Sequence, residues 1–369
     1  NLPNFEELCQ DFCTAIKGGK YTVGGPGADF TNLTQVANAL QCGYTDSVIF
    51  SINPGTYNER FTLPQYFEKT PADSIIFQSS TGNPDDVIIK SQGLTNADHS
   101  VIRLNGTGFV RFKNLTIQNT SLSRGSAVHF TNGANNNIIS NCKILLDTVS
   151  IANSLIGVVM SGTGGQTDPS YGSLNKIEKS LIRGGAYGIS FVGDESDRNS
   201  GNAFNKNTFR NNNVTAIKVV DANVDSIFNN NIIMRKGNNK SFGIDLEGLN
   251  EDIDLSSNYL YGAGKKGFTL KRLNGLFKNI IANNMIAGGF ADVDSNNIAF
   301  ELIESSSTDI IHNSVKYDSS GTSPNSSVVF YIQGGNENRV LNNIFSNFGQ
   351  LQVLILLLTI MIFIQMELH

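Results

Sequence analysis

The most constraining feature of this chain is a six-residue frame, apolar-x-x-Asn-x-apolar, that returns along its second half. It reads Phe204-Asn205-Lys206-Asn207-Thr208-Phe209, then Phe228 with Asn231 and Ile233, and Leu255 with Asn258 and Leu260. It returns as Ile281, Asn284 and Ile286, as Ile310, Asn313 and Val315, and as Val340, Asn343 and Phe345. The six asparagines lie 24, 27, 26, 29 and 30 residues apart. Earlier in the chain the apolar frame persists while the central slot varies: Ile177 and Ile182 flank Ser180, Ile139 and Ile144 flank Cys142, and Phe112 and Ile117 flank Leu115. The long gap between Cys142 and Ser180 holds a turn-rich insertion, Gly162-Thr163-Gly164-Gly165-Gln166-Thr167-Asp168-Pro169.

A repeat of this length is one supersecondary unit that must stack on its neighbours to bury its apolar face. Each unit carries short alternating stretches such as Tyr187-Gly188-Ile189-Ser190-Phe191 and Phe242-Gly243-Ile244-Asp245-Leu246, the period of a strand with one face in and one out. Long runs of helical spacing are missing. The expected fold is therefore an all-β parallel β-helix, a coil of strands in which equivalent residues stack about 4.8 Å apart. Asn207, Asn231, Asn258, Asn284, Asn313 and Asn343 are then a structural ladder, their amides bonding from coil to coil.

The start of the chain is organised differently. Leu33, Val36, Ala37 and Leu40 have helical spacing, and Thr or Asn before them offers a cap. An amphipathic helix there would cover the open end that any solenoid must close. The expected domains are a lead-in over 1–20, truncated from a larger multidomain chain, a β-helix over 21–349, and an anomalous tail over 350–369. In that tail Asn, Asp, Ser and Gly give way to Leu351-Gln352-Val353-Leu354-Ile355-Leu356-Leu357-Leu358 and further apolar residues. The run is short for a membrane span, which needs ~20 residues. A frame error or artificial truncation is the expectation, with a membrane anchor as the alternative.

Composition narrows the function classes. With 40% hydrophobic residues the chain can bury a core, and a net charge of −5 argues against a nucleic-acid partner. Cys9 and Cys13 lie four apart without a second pair or nearby His, so a zinc site is not expected. They form either one local disulfide in an oxidising compartment or free thiols. His129 and His312 are isolated and read as structural.

Tyr21-Thr22-Val23-Gly24-Gly25, Gly27-Ala28-Asp29-Phe30, the Leu33–Leu40 helix and Pro54-Gly55-Thr56-Tyr57-Asn58-Glu59 resemble the entry segment of pectinesterase-type, pectin-lyase-like right-handed β-helix proteins. In detail the chain is similar to large secreted surface proteins of the Bacteroidota. The resemblance implies the β-helix fold, an extracellular or outer-surface location, and an extracellular polysaccharide or cell-surface glycan as partner. It does not carry a catalytic set across. The two aspartate motifs of pectinesterases are missing and the chain has no Trp; the motifs of polygalacturonases and pectate lyases are not recognisable either. Tyr57 and Glu59 accordingly read as structural.

Stacking points to a site without reference to family. The outward position of the strand after each ladder residue runs His129, Val159, Ser190, Lys218, Asp245, Thr269, Glu301, Tyr331. The column two residues on runs Thr131, Ser161, Val192, Val220, Glu247, Lys271, Ile303, Gln333. Lys218, Asp245, Glu247, Lys271, Glu301 and Tyr331 are the candidate glycan contacts, with Asp245 and Glu247 as the candidate acid–base pair. Ordinary cross-strand charge pairs on a solvated sheet explain the same pattern. Asp194, Glu195 and Asp197 give three carboxylates in four residues, a set that offers calcium its oxygen ligands or forms a solvated acidic loop. No cofactor is required by any of this. Two functions follow: a non-catalytic module for glycan binding or adhesion, and a polysaccharide lyase, hydrolase or esterase.

Overall fold

A computed structural model describes residues 14–66, 70, 72–92, 99–150, 152–164, 168–196, 200–235, 240–289, 297–317, 327–347 and 364–365. The chain is a parallel β-helix of about 10 turns. Each coil passes through three sheets in a fixed order, called here sheets I, II and III. One coil shows it: Asn202–Asn205 in sheet I, Thr208–Arg210 in sheet II, Thr215–Val220 in sheet III. Among the described residues the sheets hold 13, 11 and 10 strands, and every strand pair is parallel.

Equivalent apolar residues stack in the interior. In sheet I the inward column runs Phe50, Phe77, Phe112, Ile139, Ile177, Phe204, Ile227, Leu255, Ile281, Ile310, Val340. Phe50, Phe77 and Phe112 stack with ring centroids 5.1 and 5.3 Å apart. Strictly repeated side chains leave few voids, and burying each contributes roughly 1.5–3 kcal/mol.

The tight corner between sheets I and II holds the asparagine column. Asn207, Asn258, Asn284, Asn313 and Asn343 each accept, through Oδ1, the backbone N–H of the ladder residue one coil earlier, at 2.8–3.0 Å. Each Nδ2 donates to the carbonyl of the preceding coil's apolar frame residue; Asn258 reaches Ile227 O at 2.7 Å. In the second of the six copies the column residue is Asn230, not Asn231. Asn230 Oδ1 accepts from Asn207 N at 2.8 Å and its Nδ2 donates to Phe204 O at 2.8 Å. Asn231 is an exposed strand residue in register with Thr208 and Tyr259. The run Ile227-Phe228-Asn229-Asn230-Asn231-Ile232-Ile233 fits the frame in two registers, and the structure adopts the one that buries Ile227 and Ile232 and leaves Phe228 and Ile233 partly exposed. The same column continues backwards through Ser180, whose Oγ accepts from Cys142 N at 3.1 Å.

The residue before each column position has a left-handed backbone: Asn114, Asn141, Lys179, Lys206, Asn229, Ser257, Asn283, His312 and Asn342, with φ between 51° and 59°. Asn tolerates this region best among residues with a side chain, hence the Asn-Asn pairs. His312 is exposed at such a turn position.

A second polar column, absent from the sequence reading, lines the corner between sheets III and I. Asn137 N donates to Asn175 Oδ1 at 3.1 Å, Asn175 N to Asn202 Oδ1 at 3.0 Å, and Thr308 N to Asn338 Oδ1 at 3.1 Å. These residues precede the first apolar residue of the frame by two, so the full repeat is Asn-x-apolar-x-x-Asn-x-apolar.

Near the N-terminus the helix Leu33–Leu40 buries Leu33, Val36, Ala37 and Leu40, and it contacts Phe61–Leu63, the end strand of sheet III. Asn32 caps it, accepting from Gln35 N at 2.8 Å, and Glu59 supplies a second cap, accepting from Thr34 N at 2.8 Å and Leu33 N at 3.2 Å. Tyr57 donates to Asn53 O at 2.8 Å. At the other end Ile364–Gln365 pairs with Val340–Leu341; the rest of the tail lies outside the described residues, as do Cys9 and Cys13. Cys42 is disulfide-bonded and Cys142 is a buried free thiol, its pKa pushed up to about 12 by burial.

Candidate functional site

The site lies on the outward face of sheet III, and a kink in that sheet shapes it. Each strand there has two consecutive inward residues. The second is large: Val128, Val158, Ile189, Ile217, Ile244, Phe268, Phe300. The first is Ala127, Gly157, Gly188, Ala216, Gly243, Gly267 or Ala299. A Cβ on Gly188 would come within 2.7 Å of Phe209, and on Gly243 within 2.3 Å of Leu260, both sheet II core residues. Only small residues fit where sheets II and III close together. Two inward residues in succession break the alternation and bend the strand. The outward columns on either side of the bend then meet over it.

One outward column is Ser126, Ile156, Tyr187, Thr215, Phe242, Lys266, Ile298. The other is Arg103, His129, Val159, Ser190, Lys218, Asp245, Thr269, Glu301, Tyr331. Contacts cross between them: Lys218 Nζ sits 5.8 Å from the Tyr187 ring centroid, and Lys266 Nζ lies 2.6 and 2.8 Å from the two oxygens of Glu301. The middle of the groove is apolar and closed, with Ile156, Val159, Ala186 and Tyr187 buried together.

The predicted residues are placed as follows. Lys218, Asp245, Glu301 and Tyr331 share one column, and Glu247 stands in register with Lys271 in the next. Glu247 pairs with Arg272, Nη1 to Oε1 at 3.2 Å, and Arg272 also reaches Asp221 at 3.5 Å. Tyr331 donates to Gln333 at 2.8 Å. Asp245 is half-buried. Desolvation raises its carboxyl above the usual range, and Lys218, then Lys271, oppose the rise. Lys266 and Arg272, which as the basic pairs Lys265-Lys266 and Lys271-Arg272 read in sequence as a solvated face, instead hold Glu301 and Glu247 in ion pairs. Lys266 falls outside the strict alternation because the bend shifts it, and the Gly267-Phe268 step, matching Gly188-Ile189 and Gly243-Ile244, is the signal that would have found it.

Several buried polar atoms on this face have no hydrogen-bond partner: Ser126 Oγ, Ser190 Oγ, Thr269 Oγ1 and Arg103 Nε. Buried polar atoms are ordinarily satisfied, so a cluster of exceptions marks where a ligand or water completes the set. Further along, His129 is fully buried. Its Nε2 lies 2.8 Å from Ser161 O, which can only accept, so Nε2 carries the proton and Nδ1 accepts from His99 Nε2 at 3.2 Å. Burial, chiefly, pushes the His129 pKa down to about 3.

The acidic loop forms a local turn: Asp194 Oδ1 accepts from Ser196 N at 2.8 Å and Ser196 Oγ at 2.6 Å, which holds its carboxyl below the ordinary range. Asp197 lies outside the described residues. Among the described residues no three His, Cys, Asp or Glu side chains gather as a metal site. No described helix is long and apolar enough to cross a membrane.

No family model matches the chain, and no curated protein matches it. Solved structures do. A lacto-N-biosidase of family GH136 from Eubacterium ramulus is similar at 11% identity, covering 89% of this chain and 68% of its own, with a TM-score of 0.50. A rhamnogalacturonan lyase matches at 13% identity over 87% of both chains, TM-score 0.49. The rice weevil pectin methyl esterase matches at 14% over 72% of this chain and 83% of its own, TM-score 0.45. What the chain shares with such proteins is the right-handed parallel β-helix of the pectin-lyase-like fold.

Proposed function

We propose that the chain is an extracellular module that binds an extended polysaccharide along the bent face of sheet III. The observation that carries this is the in-register column Lys218, Asp245, Thr269, Glu301, Tyr331, lying beside buried hydroxyls that lack partners. One polar group per coil, about 4.8 Å apart, suits a chain of sugar rings offering a hydroxyl or carboxylate at each step. The resemblance of the entry segment to polysaccharide-acting proteins supplies the ligand class. The disulfide at Cys42 fits an oxidising compartment.

Asp245 gives a second reading, a carbohydrate-active enzyme, some support: a carboxyl with raised pKa in a groove is what a general acid needs. Its neighbours argue for binding. A glycosidase requires two carboxyls in complementary states, whereas Glu301 is held by Lys266 and Glu247 by Arg272. A panel of acidic and neutral polysaccharides separates the two readings when bound polymer and new reducing or unsaturated ends are measured together. Saturable binding without products is expected. Products that vanish in Asp245→Ala would establish the enzyme instead, and absence of binding across the panel would overturn both.

A further inference from the structure

The N-terminal end of the same face carries a different feature, a guanidinium without a counter-ion among the described residues. Arg103 stands in register between Thr62 and His129. It is half-buried, its Nε is shielded from solvent, and its side chain makes no hydrogen bond or ion pair with any described residue. A cleft of about 750 Å³ opens beside it, lined also by His99, Ser123, Arg124, Ser154 and Asp168. A second cavity of about 260 Å³, which includes Arg60, meets Arg103 from the other side. The cleft wall is built rather than loose. Thr163 Oγ1 donates to Asp168 at 2.5 Å, Gly162 N to Asp168 O at 3.0 Å, and Gly164 N to Ser161 Oγ at 2.8 Å. Gly164, at φ +82°, packs so closely on His99 that any side chain there would overlap the ring.

Leaving a half-buried charge unpaired costs stability, because desolvation is not repaid by an opposite charge. His129 beside it carries no negative charge in either protonation state, and with its pKa near 3 it is neutral. Arginine's planar fork matches a two-oxygen anion. The geometry points to a small oxyanion site in this cleft, with Arg103 as its principal ligand and Asp168 as the one carboxylate among the described lining residues. The ligand chemistry is a carboxylate or a sulfate group, free or carried on a sugar. This site is separate from the Lys218–Tyr331 groove and stands without it.

The test is thermal unfolding of the full chain titrated with sodium sulfate and with sodium D-glucuronate, against sodium chloride at matched ionic strength. A saturable rise in Tm with either anion is expected, and the tighter of the two identifies the source. Arg103→Gln should weaken the apparent Kd about tenfold or more, with Arg103→Lys between it and wild type. In chloride alone Arg103→Gln should unfold at the same or a higher temperature than wild type, since it relieves an unpaired charge. A response no larger than that of chloride, equal responses from wild type and Arg103→Gln, or marked destabilisation of Arg103→Gln in chloride would each overturn the site. Lys218→Ala with Lys271→Ala should leave the anion response intact, so this site and the polysaccharide groove fail separately.

Discussion

Asn258→Ala is expected to destabilise the chain by about 3–5 kcal/mol, while Asn231→Ala changes it by less than about 0.5 kcal/mol. Asn258 is 1% exposed. Its amide accepts from Asn230 N at 3.0 Å and Asn230 Nδ2 at 2.9 Å, and donates to Ile227 O at 2.7 Å and Asn284 Oδ1 at 3.0 Å. Truncation strands buried donors on one coil and buried acceptors on the coils either side, and each orphan costs roughly 1–3 kcal/mol. The coils contact only their neighbours, so the damage is shared across two interfaces. Asn231, one residue from the column, points to solvent. Urea denaturation of the two variants, fitted with a common slope, checks the contrast; equal losses would show that the column has been assigned to the wrong residue.

Lys266→Met should be comparably costly, about 3–5 kcal/mol, because it leaves Glu301 as a buried charge without its partner. The Glu301 side chain is 4% exposed and that of Lys266 16%, and both carboxylate oxygens face the ammonium. Replacing both, Lys266→Met with Glu301→Met, should recover most or all of the loss, since a desolvated ion pair seldom outperforms an apolar pair of similar volume. A double-mutant cycle by denaturation reads this coupling directly. Additive losses would mean that the two side chains do not share one buried bond.

How far these features could be read beforehand depended on whether they obeyed one period. The sheet III columns follow strict alternation from the ladder, so Lys218 over Asp245 and Glu247 beside Lys271 were legible and agree with the strand register. Asn231 was misplaced because three asparagines flanked by two apolar pairs leave the frame ambiguous by one residue. The second asparagine column escaped notice because it sits outside the six-residue frame. Lys266 was hidden by the bend, where alternation fails, although the small-then-large step of Gly267-Phe268 recurs in the other coils. Arg272 escaped because its partners, Glu247 and Asp221, lie 25 and 51 residues away in the chain and meet it only once the coils stack. The Arg103 cleft depends on Gly162, Gly164 and Asp168, whose packing no repeat encodes.

The face of sheet III is the central claim, and one comparison tests it most directly. Binding of the best polysaccharide from the panel is measured for wild type, for Lys218→Ala with Lys271→Ala on sheet III, and for Lys176→Ala, exposed on sheet I. The face predicts a loss of about tenfold or more for the sheet III variant and unchanged affinity for Lys176→Ala. Equal affinity for all three, or a loss confined to Lys176→Ala, would contradict it.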